Sequence, residues 1–142
     1  MVVKMPSVLF VCTGNSARSQ MAEGFARRHG PKRLRVGSAG VRPAGLNPFA
    51  VWAMNEVGID ISQQTSDALG DKDLRRYDYF ITLCGNARDS CPVLPAELRS
   101  EHWDLPDPAG TWGTPEERMG GFRVVRYLIE QRVMELLNRL AR

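Results

Sequence analysis

The sequence predicts a single-domain α/β protein, residues 1–142, built on a parallel sheet with helices on both faces. Three observations carry that expectation. Short apolar runs of strand length stop at a glycine or a cysteine, at 8–11, 34–40 and 77–84. Segments of helical spacing with recognisable caps alternate with them, the order that crossover connections between parallel strands require. A chain of 142 residues, 43% hydrophobic and 25% charged, suits one domain with one hydrophobic core.

The elements follow in order. Val8 to Val11 is a continuous apolar run, as expected of a strand covered on both faces. A helix starts at about Ala17, with Met21 and Phe25 on its inner side, and stops near Gly30-Pro31. Leu34 to Gly40 reads as a strand. In "NPFAVWAMNEVG", Asn47 is an N-cap, Pro48 takes the first helical position and Gly58 ends the helix. "YDYFITLC" (Tyr77 to Cys84) is a β-rich strand, and a shorter one lies near Glu101 to Leu105. The last helix opens with Thr114, Pro115 and two glutamates; Phe122, Val125, Ile129, Val133, Leu136 and Leu140 form one apolar, core-facing stripe.

Composition removes several classes of function. No segment approaches the ~18 to 20 apolar residues of a membrane span. The leading apolar run is too short for a signal peptide and is followed by no small-residue cleavage site, so a cytoplasmic protein is expected; a monomer is the expectation adopted beside it. A net charge of +3 favours anionic ligands. Nucleic acid is a poor partner: the densest basic stretch, "RRHGPKRLR", straddles a helix end, where cations complement the dipole, and no aromatic residues interleave it. Three cysteines make no disulfide framework. Zinc is disfavoured too, since six residues separate Cys84 from Cys91 and the chain has two histidines.

The stretch "VCTGNSARS" concentrates the chemistry. A loop from strand to helix can turn successive N–H groups inward as a nest for an anion, and the helix adds its own unsatisfied amides. Thr13, Gly14, Asn15, Ser16 and Ala17 are small enough for the backbone to close on a ligand; Gly14 and Asn15 tolerate left-handed conformations. Cys12 at the base of such a loop is a nucleophile whose thiolate the helix N-terminus stabilises. Arg18 can give a tetrahedral oxyanion two parallel hydrogen bonds, and Ser19 can donate to the sulfur. No G-K-[ST] follows, which excludes a Walker loop.

These residues resemble the low-molecular-weight tyrosine phosphatases, with their C-x5-R-S phosphate loop near the N-terminus. The resemblance implies a four-stranded parallel sheet flanked by helices and a general acid in a distal Asp-Pro pair, which Asp107-Pro108 supplies. Two further cysteines, in "TLCGNARDSCPV", exceed what a phosphatase needs. Arsenate has the shape and charge of phosphate, but its arsenic can take two electrons, the number two thiols release on forming a disulfide.

The pattern C-T-G-N-S-x-R-S, then L-C-G-x5-C-P and D-P-A, with "QTSD" at 64–67 and "FRVVR" in the last helix, resembles the thioredoxin-coupled arsenate reductases over nearly the whole chain. That resemblance implies attack on arsenate by Cys12, attack on Cys12 by Cys84, and attack on Cys84 by Cys91. Thioredoxin then reduces the last disulfide, phosphate or sulfate can mimic the substrate, and the loop between Cys84 and Cys91 refolds on oxidation. It implies no tightly bound cofactor. Some members hold potassium beside the loop, and Asn15, Glu23, Thr65 and Asp67 match the positions that supply oxygen ligands; Gln64 stands where some of those have histidine. Glu23 equally suits a helix-surface charge. A tyrosine phosphatase is the alternative enzyme, although Ala109-Gly110 replace the aromatic residues that hold a substrate ring after the Asp-Pro pair, and Trp112 is expected to pack. A non-catalytic oxyanion or redox sensor would use the same pocket without needing the acid.

Overall fold

The computed structural model describes residues 6–84, 94–110 and 112–141. Strands β1 (Ser7–Cys12), β2 (Arg35–Gly40), β3 (Tyr79–Cys84) and β4 (Ser100–Asp104) form one parallel sheet in the order β2-β1-β3-β4. The α-helices are α1 (Arg18–His29), α2 (Pro48–Asn55) and α3 (Pro115–Leu140). The chain leaves β1 for β2 on one side, while β3 lies on the other. A crevice therefore opens beyond the carboxyl ends of β1 and β3, where open parallel sheets bind ligands.

Strand alternation divides the interior. Val8, Phe10 and Cys12 of β1, with Ile81 and Leu83 of β3 and Trp103 of β4, face the larger core, which includes Met21 and Phe25 of α1 and Ala53 of α2. From α3 come Phe122, Val125, Ile129, Val133 and Leu136, all buried, with Leu140 half-buried at the end of the stripe. Leu9, Val11, Ala39 and Phe80 face the other way. This second patch is small, and single 3₁₀ turns at Leu69–Asp71 and Leu74–Arg76 cover it with Leu69, Leu74, Leu94 and Leu98. Tyr77 lies across Gly37, where a Cβ would meet its hydroxyl at 2.7 Å.

Local chemistry explains the element ends. Asn47 Oδ1 accepts from the Phe49 amide at 2.8 Å, with Pro48 first in α2. That helix ends at Asn55 rather than at Gly58; Ile59 N donates back to Met54 O, a closure that needs the positive φ of +80° at Gly58. Thr114 and Glu117 form the capping box of α3. β3 starts two residues later than expected, because Asp78 uses its carboxylate to accept from the Ser7 amide at 2.9 Å.

Candidate active site

The loop from Thr13 to Ala17 is held open from outside. Its carbonyls at Thr13, Gly14 and Ser16 accept from the amides of Arg42, Ala44 and Asn47 at 2.9, 2.9 and 3.0 Å. In a trans peptide the N–H points opposite the carbonyl, so the amides of Gly14, Asn15 and Ala17 turn toward the inside. Asn15 makes the reversal possible with a φ of +44°. Ala17, the N-cap of α1, has no side chain to cap it, which leaves the first amides of a twelve-residue helix to a ligand. Thr13 Oγ1 is buried on this loop without a hydrogen-bond partner.

Gly40 makes the arrangement compact. A Cβ there would lie 2.6 Å from Asn15 N, 2.8 Å from Thr13 O and 2.9 Å from Gly14 C, all backbone atoms. Only glycine lets the end of β2 approach the loop this closely. The sequence shows Gly40 as the end of a strand; nothing local to it reveals the loop on the far side.

Cys12 sits at the base of the nest, buried. Its sulfur is 2.9 Å from Ser19 Oγ, and that oxygen accepts from Asn15 Nδ2 at 2.8 Å. With a lone pair of Ser19 taken by the amide, its single proton is directed at the sulfur, which stabilises a thiolate. Asn15 is held in turn: its Oδ1 accepts from Asp67 N at 2.7 Å and its carbonyl from Gln20 Nε2 at 2.9 Å.

Arg18 is 4% exposed, so its guanidinium is fixed by the protein rather than by water. Nη1 donates to Leu105 O at 3.0 Å, and Nη2 lies 4.0 Å from Asp107 Oδ2. Asp107 follows β4 by three residues and is half-exposed, with Oδ1 accepting from the Ala109 amide at 3.0 Å. Cys12, Arg18 and Asp107 line one cleft of about 480 Å³, joined at its rim by Arg42, Ala44 and Gly110. Among the described residues of the lining none carries a ring. Trp112, expected to pack, is instead 90% exposed.

Cys84 ends β3, buried, paired in register with Asp104. Cys91 lies outside the described residues.

The four residues matched to a potassium site are only partly assembled. Thr65 Oγ1 donates to Asp67 Oδ2 at 3.0 Å, and Asp67 is bonded to Asn15. Glu23 is buried, accepting from Ser38 Oγ at 2.5 Å and Arg27 Nε at 2.8 Å. Lys72 Nζ stands 3.1 Å from Asp67 Oδ2. Each carboxylate has a cation beside it, and the Asn15 side-chain oxygen already accepts one hydrogen bond. Among the described residues no group of three or more His, Cys, Asp or Glu side chains can hold a metal ion. No described helix is long and apolar enough to cross a membrane.

Residues 7–142 match the family model described as low molecular weight phosphotyrosine protein phosphatase. An arsenate reductase of Shouchella clausii is 52% identical over 126 residues, 89% of this chain and 91% of that protein. A solved arsenate reductase in its phosphate-binding state superposes with a TM-score of 0.82 at 40% identity, over 96% of this chain and 99% of that one. The thioredoxin-dependent arsenate reductase of Corynebacterium glutamicum gives 0.74 at 27% identity, over 99% of this chain and 64% of that longer one. With the phosphate loop, the parallel sheet and a match across nearly every residue in agreement, the chain belongs to the low molecular weight phosphotyrosine protein phosphatase family.

Proposed function

We propose that this protein reduces arsenate to arsenite and that thioredoxin returns it to the reduced state. The observation that carries the reading is the Cys12 sulfur at the base of an inward-turned amide loop, with a second cysteine closing the neighbouring strand. The relatives named arsenate reductase support the substrate, and the thioredoxin-dependent structural relative supports the reductant.

The loop amides and Arg18 hold the oxyanion against Cys12. The thiolate forms a sulfur–arsenic bond as one arsenate oxygen leaves as water, Asp107 delivering a proton. Cys84 then attacks the Cys12 sulfur. A Cys12–Cys84 disulfide forms, the sulfur–arsenic pair stays on arsenic, and As(V) leaves as As(III). Attack by Cys91 on Cys84 frees Cys12 and moves the disulfide outward, where the dithiol of thioredoxin supplies the two electrons.

The shared loop chemistry leaves a weak aryl phosphatase activity, limited by a cleft whose described lining has no ring to hold the leaving group. The discriminating assay combines arsenate, thioredoxin, its reductase and NADPH. Sustained NADPH oxidation is the expected result. Turnover of an aryl phosphate without it makes the protein a phosphatase, and neither activity makes it a sensor.

A further inference from the structure

A glutamine at the third position of a helix ordinarily turns its side chain back to the N-cap amide, as one half of a capping box. Gln20 holds that position in α1, behind the Ala17 N-cap. It is fully buried and reaches past the helix start instead, its Nε2 donating to Asn15 O and to Thr65 O, both at 2.9 Å. We propose that Gln20 is a positioning residue for oxyanion binding: it holds the Asn15 carbonyl outward and thereby aims the Ser16 amide into the nest. The inference rests on the oxyanion site that the arsenate-reductase reading uses, and adds a residue to it.

The carbonyls of the loop differ in what holds them. Those of Thr13, Gly14 and Ser16 accept from the main-chain amides of residues 42, 44 and 47, which any residue except proline supplies. The Asn15 carbonyl accepts from a side chain. A carbonyl bonded outward turns the N–H across its peptide inward. The Gln20 bond therefore does for the Ser16 amide what the main-chain bond to Thr13 does for Gly14. Asn15 also has the left-handed φ of +44°, a conformation that local backbone preference does not supply by itself. Its peptide is the one that most needs an external hold.

Chemistry fixes which end of the Gln20 amide faces the loop. Asn15 O, Thr65 O and Gln20 O are main-chain carbonyls and can only accept. Gln64 Nε2 donates to Gln20 O at 3.0 Å and to Gln20 Oε1 at 2.8 Å. The side-chain oxygen of Gln20 thus faces Gln64, and its nitrogen faces the two carbonyls. Both polar atoms are paired, and a buried amide paired at both ends resists rotation. Through Thr65 the same nitrogen ties the loop to the segment whose Asp67 amide donates to Asn15 Oδ1 at 2.7 Å. Asn15 is gripped at its carbonyl and its side chain together, so the Ser16 N–H is aimed before an anion arrives, and binding costs little reorganisation.

The test titrates isotope-labelled protein with inorganic phosphate by NMR, in wild type and in Gln20→Met, which keeps the length of the side chain and removes its donor. In wild type the amide protons of Gly14 and Ser16 both move downfield as phosphate binds. In Gln20→Met the phosphate concentration that half-protects Cys12 from iodoacetamide rises roughly 10- to 100-fold, the loss of one hydrogen bond to a charged group. At saturating phosphate Gly14 still moves and Ser16 does not, a pattern that a general loosening of the fold would not produce. The arsenate KM rises with the protection constant, while the saturated first-turnover rate holds within about threefold. Gln20→Glu keeps the bond from Gln64 but sets a carboxylate oxygen against two carbonyls, and it binds phosphate more weakly still. Unchanged protection in Gln20→Met, or equal movement of Ser16 in variant and wild type, overturns the proposal. So does a wild-type Ser16 amide unmoved by saturating phosphate, a result that needs no variant to fold. Phosphate binding needs no turnover, so a wild-type protein that passes the titration and reduces no arsenate sinks the functional reading alone.

Discussion

Cys84 ends β3 one residue beyond the level at which Cys12 ends β1, and strand alternation sends the two side chains to opposite faces of the sheet. The last registered pair is Val11 with Thr82, which sets Cys12 level with Leu83. Cys12 belongs to the larger core, whereas Cys84 shares its parity with Phe80 of the smaller one. Were the pairing to continue, the two Cα atoms would stand about 6 Å apart, inside the range a disulfide spans. The backbone spacing suits the proposed Cys12–Cys84 disulfide, for which the sulfur of Cys84 has to turn around the strand end.

Ser19 is the first residue to test. Its hydroxyl is the side-chain donor at the Cys12 sulfur, 2.9 Å away. Ser19→Ala removes a hydrogen bond to a charged group, which contributes about 1.5–3 kcal/mol, so alkylation of Cys12 by iodoacetamide at neutral pH slows about 10- to 100-fold. An unchanged alkylation rate would mean that the serine only packs.

Asp107→Asn separates proton delivery from binding. General acids contribute about 10²- to 10⁴-fold, and the first-turnover release of arsenite should slow by that order. Phosphate should still protect Cys12, because the loop amides and Arg18 are untouched. Arsenite released at the wild-type rate would remove Asp107 from the reaction.

Gly40→Ala tests the loop without touching a reactive group. Its methyl would meet backbone at 2.6–2.9 Å, so the loop has to shift. A loss of about 1–3 kcal/mol in urea unfolding is expected, together with lost phosphate protection of Cys12. Gly58→Ala is the control: with a φ of +80° and nothing within 4 Å it strains only its own backbone, and it should lose stability while keeping oxyanion binding.

Much of this was readable beforehand, for local reasons. The Asn47 and Thr114 caps and the apolar stripe of α3 are patterns within a few residues, and each formed as the side chains dictate. Cys12, Arg18 and Ser19 were legible because the loop and helix that position them are consecutive in the chain. Leu105 was not, since it acts through its carbonyl, which has no sequence signature. Gly40 and Arg42 were missed because their partner, the loop at 13–16, lies more than twenty residues away. Among the described residues, the smaller face buries Leu9, Val11, Ala39 and Phe80, and the 3₁₀ turns that bring Leu69 and Leu74 onto it have no periodic pattern long enough to read from sequence.

One stability prediction lies away from the site. Arg123 and Arg126 join Glu56 of the α2 end to α3, and their hydrogen bonds hold its carboxyl at about 2, below the ordinary 4.5. A lowered carboxylate stabilises the fold above its unfolded value, and that contribution is lost as pH falls from about 4.5 toward 2. Because the cluster is partly exposed, the loss is about 1 kcal/mol or less. Urea midpoints at pH values on either side of that window, in wild type and Glu56→Gln, should show a smaller acid-induced drop in the variant; equal drops would leave the ion cluster without a role.

The order in which the thiols react is tested most directly in Cys91→Ser, by mapping disulfides by mass after one addition of arsenate. One arsenite per protein and a Cys12–Cys84 bridge, with no sustained NADPH oxidation, is the predicted result. Repeated turnover at the normal rate, or arsenite released with no bridge between those two cysteines, would contradict it.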